Sequence, residues 1–336
     1  MTCVVRIARP KDIDALYEMA KLTGGGFTNL PADRDALAAK LARSDEAIAE
    51  DEDQPGNHLY VLMMEDLETG RIAGTAQIMS RVGETQPFYS YRLGSVSQQS
   101  VELGRTFRAE MLSLVTDLEG ASEVGGLFLH PRYRAGGLGL LLARSRYLFI
   151  RRHRARFADR LLAELRGVID EGGNAPFWDG LAGRFFGMTF READAFNAIN
   201  GNQFIADLMP KHPIYQAMLT DNARSVIGVP HPNGRAAMRM LEEEGFACEG
   251  YVDIFDGGPT MTVGTDRVRT VRDAGEAAIE TIGIDRGHRA ILSAGRLADF
   301  RATLGEVSFS GGLGIDEQAA AALDVRIGDT ILHATR

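Results

Sequence analysis

Residues 123–150 read EVGGLFLHPRYRAGGLGLLLARSRYLFI. The first part, EVGGLFLHP, has the pattern of an apolar strand that stops at Pro131. Arg134-Ala135-Gly136-Gly137-Leu138-Gly139 follows as a glycine-rich turn. A helix then starts, with Leu138, Leu141 and Leu142 on one face and Arg144 close by. Strand, glycine loop and helix start together make a cradle for phosphate. Small residues let a ligand approach the backbone, and the free N–H groups of the first turn meet its negative charge. The spacing is not GxxxxGK[ST], which argues against a P-loop, and it is not the GxGxxG of a dinucleotide fold. What is present is R-x-x-G-x-G behind a strand end of the form LFLHPxYR. The plain alternative is a strand–turn–helix that holds no ligand.

Outward from this stretch, composition narrows the class. A chain of 336 residues, 45% hydrophobic and 25% charged, can bury one large core or two smaller ones. No apolar run reaches the roughly 18 residues of a membrane span. MTCVVRIARPKDID reads as a strand and a helix start, not a leader. Cys3 and Cys248 are the only cysteines, which suits a reducing compartment without a disulfide framework. A cytoplasmic protein is therefore expected, with no membrane contact. The net charge of −9 argues against nucleic acid as the main partner and suits a cationic small substrate. No metal-binding motif is present.

Upstream, the pattern predicts a strand at Val4–Ala8 and a helix from Asp12 to Leu22 with Ile13, Leu16, Met19 and Ala20 inward. Thr23-Gly24-Gly25-Gly26-Phe27-Thr28-Asn29-Leu30-Pro31, with its three consecutive glycines, is either a hinge or a substrate-lining loop. A second helix spans Asp33 to Ile48. His58–Glu65 and Arg71–Met79 read as a hairpin, and Phe88–Ser100 as further sheet. Downstream, Arg151, Arg152, Arg154 and Arg156 either reach a phosphate or form a solvated helix face. Leu161–Ile169 reads as a buried strand, on which Glu164 and Arg166 must be paired or face a site. Pro176–Phe186 predicts a helix with Phe177, Trp178, Phe185 and Phe186 in the core, and Asp194–Leu208 a further helix. Gly234–Glu244 predicts a helix with Ala237, Met240 and Leu241 inward, followed by a strand from Gly250 to Phe255. From Thr265 onward short apolar pieces alternate with turns, as in a small β-rich unit.

The Arg134-x-x-Gly137-x-Gly139 loop resembles the acyl-CoA pyrophosphate loop of the GCN5-related N-acetyltransferase superfamily. Longer stretches resemble one family beside it, the bacterial arginine N-succinyltransferases. They are KLTGGGFTNLP from Lys21, GLFLHPRYRAGGLGLLLARSRYLFI, ELRGVIDEGGNAPFWDGLAGRFF, FIADLMPKHPIY, VIGVPHPNGRAAMRMLEEEGF and YVDIFDGGPT. They run in family order from residue 21 to residue 260. The resemblance implies an α/β (α+β) fold, a mixed sheet flanked by helices over residues 1–264; residues 265–336, read above as a small β-rich C-terminal subdomain, match the family only loosely. It implies transfer of succinyl from succinyl-CoA, a co-substrate and not a resident cofactor, to the α-amine of L-arginine in arginine catabolism. It also implies a homo-oligomer, or a pairing with a similar subunit. Another acyl donor, or another amine such as ornithine, would leave the same loop and helix motifs.

The resemblance places an acyl-CoA contact at Leu127. Leu129 belongs to the same strand, whose main chain would meet the pantetheine arm. The pyrophosphate would sit on the N–H groups from Gly136 to Leu140, with Arg134 opening the loop. The family's proton donor falls on His231, which a flanking proline on each side holds in an extended segment. Its near-neutral pKa fits proton transfer. His130, Glu123 (where many acetyltransferases place a base) and His212 are rivals. Carboxylates should receive a guanidinium and cations the carboxylates. Glu164, Asp253, Asp256, Arg166 and Arg92 are available, and the sequence does not assign them.

Overall fold

The computed structural model describes residues 2–23 and 29–335. Gly24, Gly25 and Gly26, read above as a hinge or a substrate loop, lie outside them.

β1 (Cys3–Ile7) leads into α1 (Ile13–Leu22) and α2 (Arg34–Ala49). α1 buries Leu16, Met19 and Ala20, as its 3.6-residue spacing requires, and packs with Leu37 and Leu41 of α2 against one face of the sheet. β2 (Leu59–Asp66) and β3 (Arg71–Met79) form the expected hairpin. β4 (Ser90–Ser100) turns into β5 (Arg105–Val115), a strand its mixed polar sequence concealed. β6 (Ser122–Leu129) and α3 (Leu138–Arg152) are the strand and helix of the glycine stretch.

β7 (Arg160–Glu164) is shorter than its apolar run suggests, because the chain leaves the sheet at Leu165. The predicted helix at Pro176–Phe186 is two short ones, α4 (Pro176–Gly180) and α5 (Gly183–Phe186). They break at Leu181, whose φ of −127° and ψ of −90° are not helical. Phe177 and Trp178 are core, but Phe185 is 49% exposed. α6 (Phe190–Asn200) starts before Asp194 behind the Thr189 capping box and ends at Gly201, so α7 (Gln203–Leu208) is separate. β8 (Ile214–Tyr215), α8 (Asp221–Ser225), α9 (Arg235–Glu243), β9 (Ala247–Val252) and β10 (Pro259–Gly264) follow. α10 (Arg269–Asp273), β11 (Gly275–Ile282), β12 (His288–Ala294), β13 (Arg301–Ser308), β14 (Leu313–Ile315), α11 (Glu317–Leu323) and β15 (Thr330–Thr335) complete the chain.

The described strands form one mixed sheet in the order β12-β15-β11-β14-β13-β1-β2-β3-β6-β7-β10-β9-β4-β5-β8. The fold is thus the mixed α/β sheet flanked by helices that the resemblance implied. The C-terminal strands join it through antiparallel pairing of β13 with β1, Val4 opposite Thr303. They also roof α3, which is buried without a break from Leu141 to Ile150. A helix buried all round must satisfy its charges internally. Arg144 Nε accordingly donates to Glu244 Oε1 at 2.7 Å, and its Nη1 donates to the carbonyl of Thr335 at 2.9 Å.

Three of the four arginines at the end of α3 and just beyond it are held in ion pairs. Arg152 pairs with Glu276, and Arg154 with Asp159 and Asp266, each at 2.6 Å. Arg156 is buried, with Nε donating to Asp53 at 2.7 Å and Nη1 to the carbonyl of Ala47 at 3.0 Å. Arg151 is exposed.

Candidate active site

The site begins where two parallel strands part. β6 and β7 pair only at Ser122–Leu161 and Glu123–Leu162. Past that point β7 keeps β10 on its far side, and the gap toward β6 opens. A cavity of about 330 Å³ fills the gap, walled by residues 124–129 on one side and 163–166 on the other. The β6 wall is shaped by a bulge: Gln77 faces Gly125 and Thr75 faces Phe128, so β6 carries an extra residue. Gly126 sits in the bulge at φ +56°, and a Cβ there would lie 2.7 Å from the Gln77 side chain. A side chain there would be strained and would have to displace Gln77. The backbone of Leu127 and Leu129 is thereby turned along the cavity wall, and both residues line it.

At one end lies the glycine loop. Gly137 caps α3 in the left-handed region at φ +89°. The N–H groups of Gly136, Gly137, Gly139 and Leu140 have no protein acceptor among the described residues. Arg134 Nε donates to the carbonyl of Leu129 at 3.0 Å, which tethers the loop to the strand end. Arg134 and Leu140 line the cavity; Gly137 and Gly139 frame its mouth without lining it. A helix start with free N–H groups and a neighbouring guanidinium attracts an anion.

At the other end the walls are acidic. Glu164, Asp194, Asp253 and Asp256 all reach the cavity, and Arg166 stands among them. Asp253 Oδ1 accepts the N–H groups of Phe255 and Asp256 at 2.7 and 2.8 Å. Asp256 accepts those of Gly167 and Gly258 at 2.8 Å each. These bonds fix both side chains in place. Glu164 accepts no hydrogen bond among the described residues. Burial first, and then Asp253, Glu123 and Asp256, hold its carboxyl well above the usual range. Burial followed by Asp253 does the same to Asp256, and burial raises Asp253 and Asp194 as well. Burial also depresses Arg166, against the pull of Asp256 and Asp194, and its Nε is buried without a partner. The arrangement lacks positive charge, and a cationic ligand would supply it.

His231 lines the same cavity beside Arg166. Its backbone N–H donates to the carbonyl of Arg166 at 2.8 Å, and its Nδ1 accepts the N–H of Asn233 at 3.2 Å. With Nδ1 accepting, the neutral ring carries its proton on Nε2. Burial and then Arg166 lower its pKa. The rivals fall away from the cavity. His130 Nδ1 caps the turn at Arg132, outside the lining, and His212 is exposed. Glu123 is buried behind the wall, where Asn29 Nδ2 donates to it at 3.4 Å. Burial raises its pKa in spite of Asn29 and Lys40. Lys40 Nζ donates to the carbonyl of Asn29 at 2.5 Å, and burial lowers its pKa to about 8. Arg92 is paired with Asp117 outside the cavity.

Sequence reasoning missed Asp194, Phe190 and Arg146 as cavity residues, whereas Thr23 and Asn29, from the stretch read as a hinge or a substrate-lining loop, do line the cavity. Asp194 and Phe190 reach it from α6, a placement that only the tertiary fold determines. A charge inside the apolar run ARSRYLFI was the available signal for Arg146.

The comparisons agree with this geometry. The profile of the family described as arginine N-succinyltransferase beta subunit matches residues 3–270, and that of its C-terminal domain matches 267–335. Proteins named arginine N-succinyltransferase from Salmonella schwarzengrund and from Escherichia coli O17:K52:H18 are each 44% identical over 269 residues. That is 80% of this chain and 78% of theirs. A solved structure of arginine/ornithine succinyltransferase subunit AI from Pseudomonas aeruginosa superposes with a TM-score of 0.90 at 29% identity, covering 99% of this chain and 98% of that one. With a splayed strand pair, a glycine-capped helix start and a profile match over most of its length, the chain belongs to the arginine N-succinyltransferase beta subunit family.

Proposed function

We propose that this protein is an arginine N-succinyltransferase, moving succinyl from succinyl-CoA to the α-amine of L-arginine. The observation that carries this is one cavity with an anion cradle at one end and four carboxylates around one arginine at the other. The donor's pyrophosphate lies on the free N–H groups of Gly136, Gly137, Gly139 and Leu140, beside Arg134, with Gly137 and Gly139 giving it access to the backbone; the Leu138 N–H is spent on the carbonyl of Ala135. The pantetheine arm follows the main chain of Leu127 and Leu129. Glu164 and Asp253 take the guanidinium, and Arg166 takes the α-carboxylate.

The amine first loses a proton to solvent, and its lone pair attacks the thioester carbon. The C–N bond forms, the nitrogen of the adduct passes a proton by way of water to the neutral His231 ring, and as the C–S bond breaks the imidazolium delivers its Nε2 proton to the departing thiolate. The products are N2-succinylarginine, CoA thiol and one proton. The printed name of the Pseudomonas structure supports ornithine as a second amine on the same machinery. The word subunit in the relatives' names supports assembly, either with itself or with a similar chain. The division at residues 264 and 265 is proposed on the change of composition there.

The test is release of CoA thiol by the purified protein. Succinyl-CoA with L-arginine is compared with acetyl-CoA and with L-ornithine. Release that needs both succinyl-CoA and L-arginine supports the assignment; release only with acetyl-CoA refutes it.

A further inference from the structure

Four cations line the cavity: Arg134, Arg144, Arg146 and Arg166. Three have an evident task. Arg134 tethers the exposed glycine loop, Arg144 is neutralised by Glu244, and Arg166 stands among the acidic groups. Arg146 is different. It is 4% exposed, and its only hydrogen bond among the described residues runs from Nε to the carbonyl of Ala143 on its own helix, 3.1 Å away. Its guanidinium carbon lies 5.6 Å from the centre of the Tyr147 ring. Among the described residues no carboxylate lies within ion-pair distance, although the charge of Glu244, already paired with Arg144, acts on it from farther off. A guanidinium this buried without an ion-pair partner is costly, so a position that keeps one calls for an anion.

We infer that Arg146 binds the terminal carboxylate of the donor's acyl group and so selects a dicarboxylic acyl-CoA over acetyl-CoA. The inference rests on the function proposed above. Position separates this anion from the others in the reaction. Arg146 lies nine residues beyond Gly137, roughly 13 Å along α3 at 1.5 Å per residue. It is therefore remote from the pyrophosphate cradle at the helix start. The 3′-phosphate of CoA lies on the adenosine side of that pyrophosphate, away from the acyl chain, and the amino-acid carboxylate has its own cation in Arg166. The anion left for Arg146 is the far end of the acyl chain.

The experiment measures equilibrium binding, without amine, of succinyl-CoA, its terminal carboxamide analogue, acetyl-CoA and free CoA. The wild type should bind succinyl-CoA roughly 10- to 100-fold more tightly than the carboxamide, the range of a charge-assisted hydrogen bond. Arg146→Gln should erase that preference and leave the affinity for free CoA within about twofold; Arg146→Lys should keep part of it. Equal binding of the two donors by the wild type overturns the inference even if Arg146→Gln does not fold. A preference that survives in Arg146→Gln overturns it too. So does an equal loss for free CoA, which would place Arg146 on a phosphate or in the frame. If instead the wild type fails to release thiol with succinyl-CoA and L-arginine, the functional proposal fails, and the binding series still judges Arg146.

Discussion

Glu244→Ala is the most informative stability perturbation. Glu244 and Arg144 are 2% and 3% exposed and 2.7 Å apart. The same carboxylate accepts the backbone N–H of Thr270 at 2.8 Å and its hydroxyl at 2.9 Å. One side chain thus ties α3, α9 and α10 together, while Arg144 reaches on to the carbonyl of Thr335. Removing it strands a buried guanidinium and an amide donor, at a cost of about 3–5 kcal/mol. An unfolding entropy of about 2.1 cal/mol/K per residue over 336 residues amounts to roughly 0.7 kcal/mol/K, so the midpoint should fall by about 4–7 °C. Differential scanning calorimetry of the intact chain reads this directly. Arg144→Met with Glu244→Leu removes both charges and should recover most of the loss, because the penalty belongs to the unpaired charge and not to the absent bridge. A drop under 1 °C for the single variant, or a double variant no better than the single, would show that water or another group already serves Arg144.

Other perturbations act on turnover. His231→Ala should lower kcat by roughly 10²–10⁴ while the affinity for free CoA is unchanged; wild-type kcat in this variant, with Glu123→Ala inactive, would move the proton donor to Glu123. Because burial and Arg166 hold His231 below the ordinary imidazole value, the neutral ring persists to lower pH, and the acid limb of kcat/KM should lie below 6.5. Arg166→Gln removes a neighbouring positive charge, favours the imidazolium and should shift that limb to higher pH. A limb that stays in place, or moves down, contradicts the stated contact between the two residues.

Much of the frame was legible, and the gaps have physical causes. The glycine stretch, the hairpin at residues 59–79 and the inner faces of α1 and α9 follow from periodicity and turn chemistry, which are local. β5 was not legible, because Arg105–Val115 alternates poorly and owes its pairing to β4. α4 and α5 read as one helix although Gly180 and Gly183 flank the break at Leu181; the aromatic spacing of Phe177, Trp178, Phe185 and Phe186 outweighed that local signal. The Arg151–Arg156 cluster looked like a phosphate site or a wet surface. Its partners Asp53, Asp266 and Glu276 are about a hundred residues distant in sequence, so neither outcome could be read locally. His231 and Arg134 were placed by resemblance to a family; that they face one cavity is a fact of the fold.

The acidic end of the cavity makes arginine binding a proton-linked event. In the empty protein the raised carboxyls of Glu164, Asp194, Asp253 and Asp256 keep protons above the ordinary carboxylate range. The folded chain therefore binds more protons than the unfolded chain in that window, and its stability falls as pH rises from the ordinary carboxylate values toward the raised ones. A guanidinium between Glu164 and Asp253 reverses the preference: the charged forms gain a partner and their pKa values drop. Arginine binding between the ordinary and the raised carboxylate values should accordingly release protons, and its affinity should weaken as pH falls through that window. Calorimetry of arginine binding in buffers of different ionisation enthalpy reads the proton count. Saturating arginine should also remove part of the pH dependence of the unfolding midpoint, since it binds only the folded state. Proton uptake on binding, or a heat independent of buffer, would mean that these carboxylates do not receive the guanidinium, and would turn the amino acid end for end in the cavity.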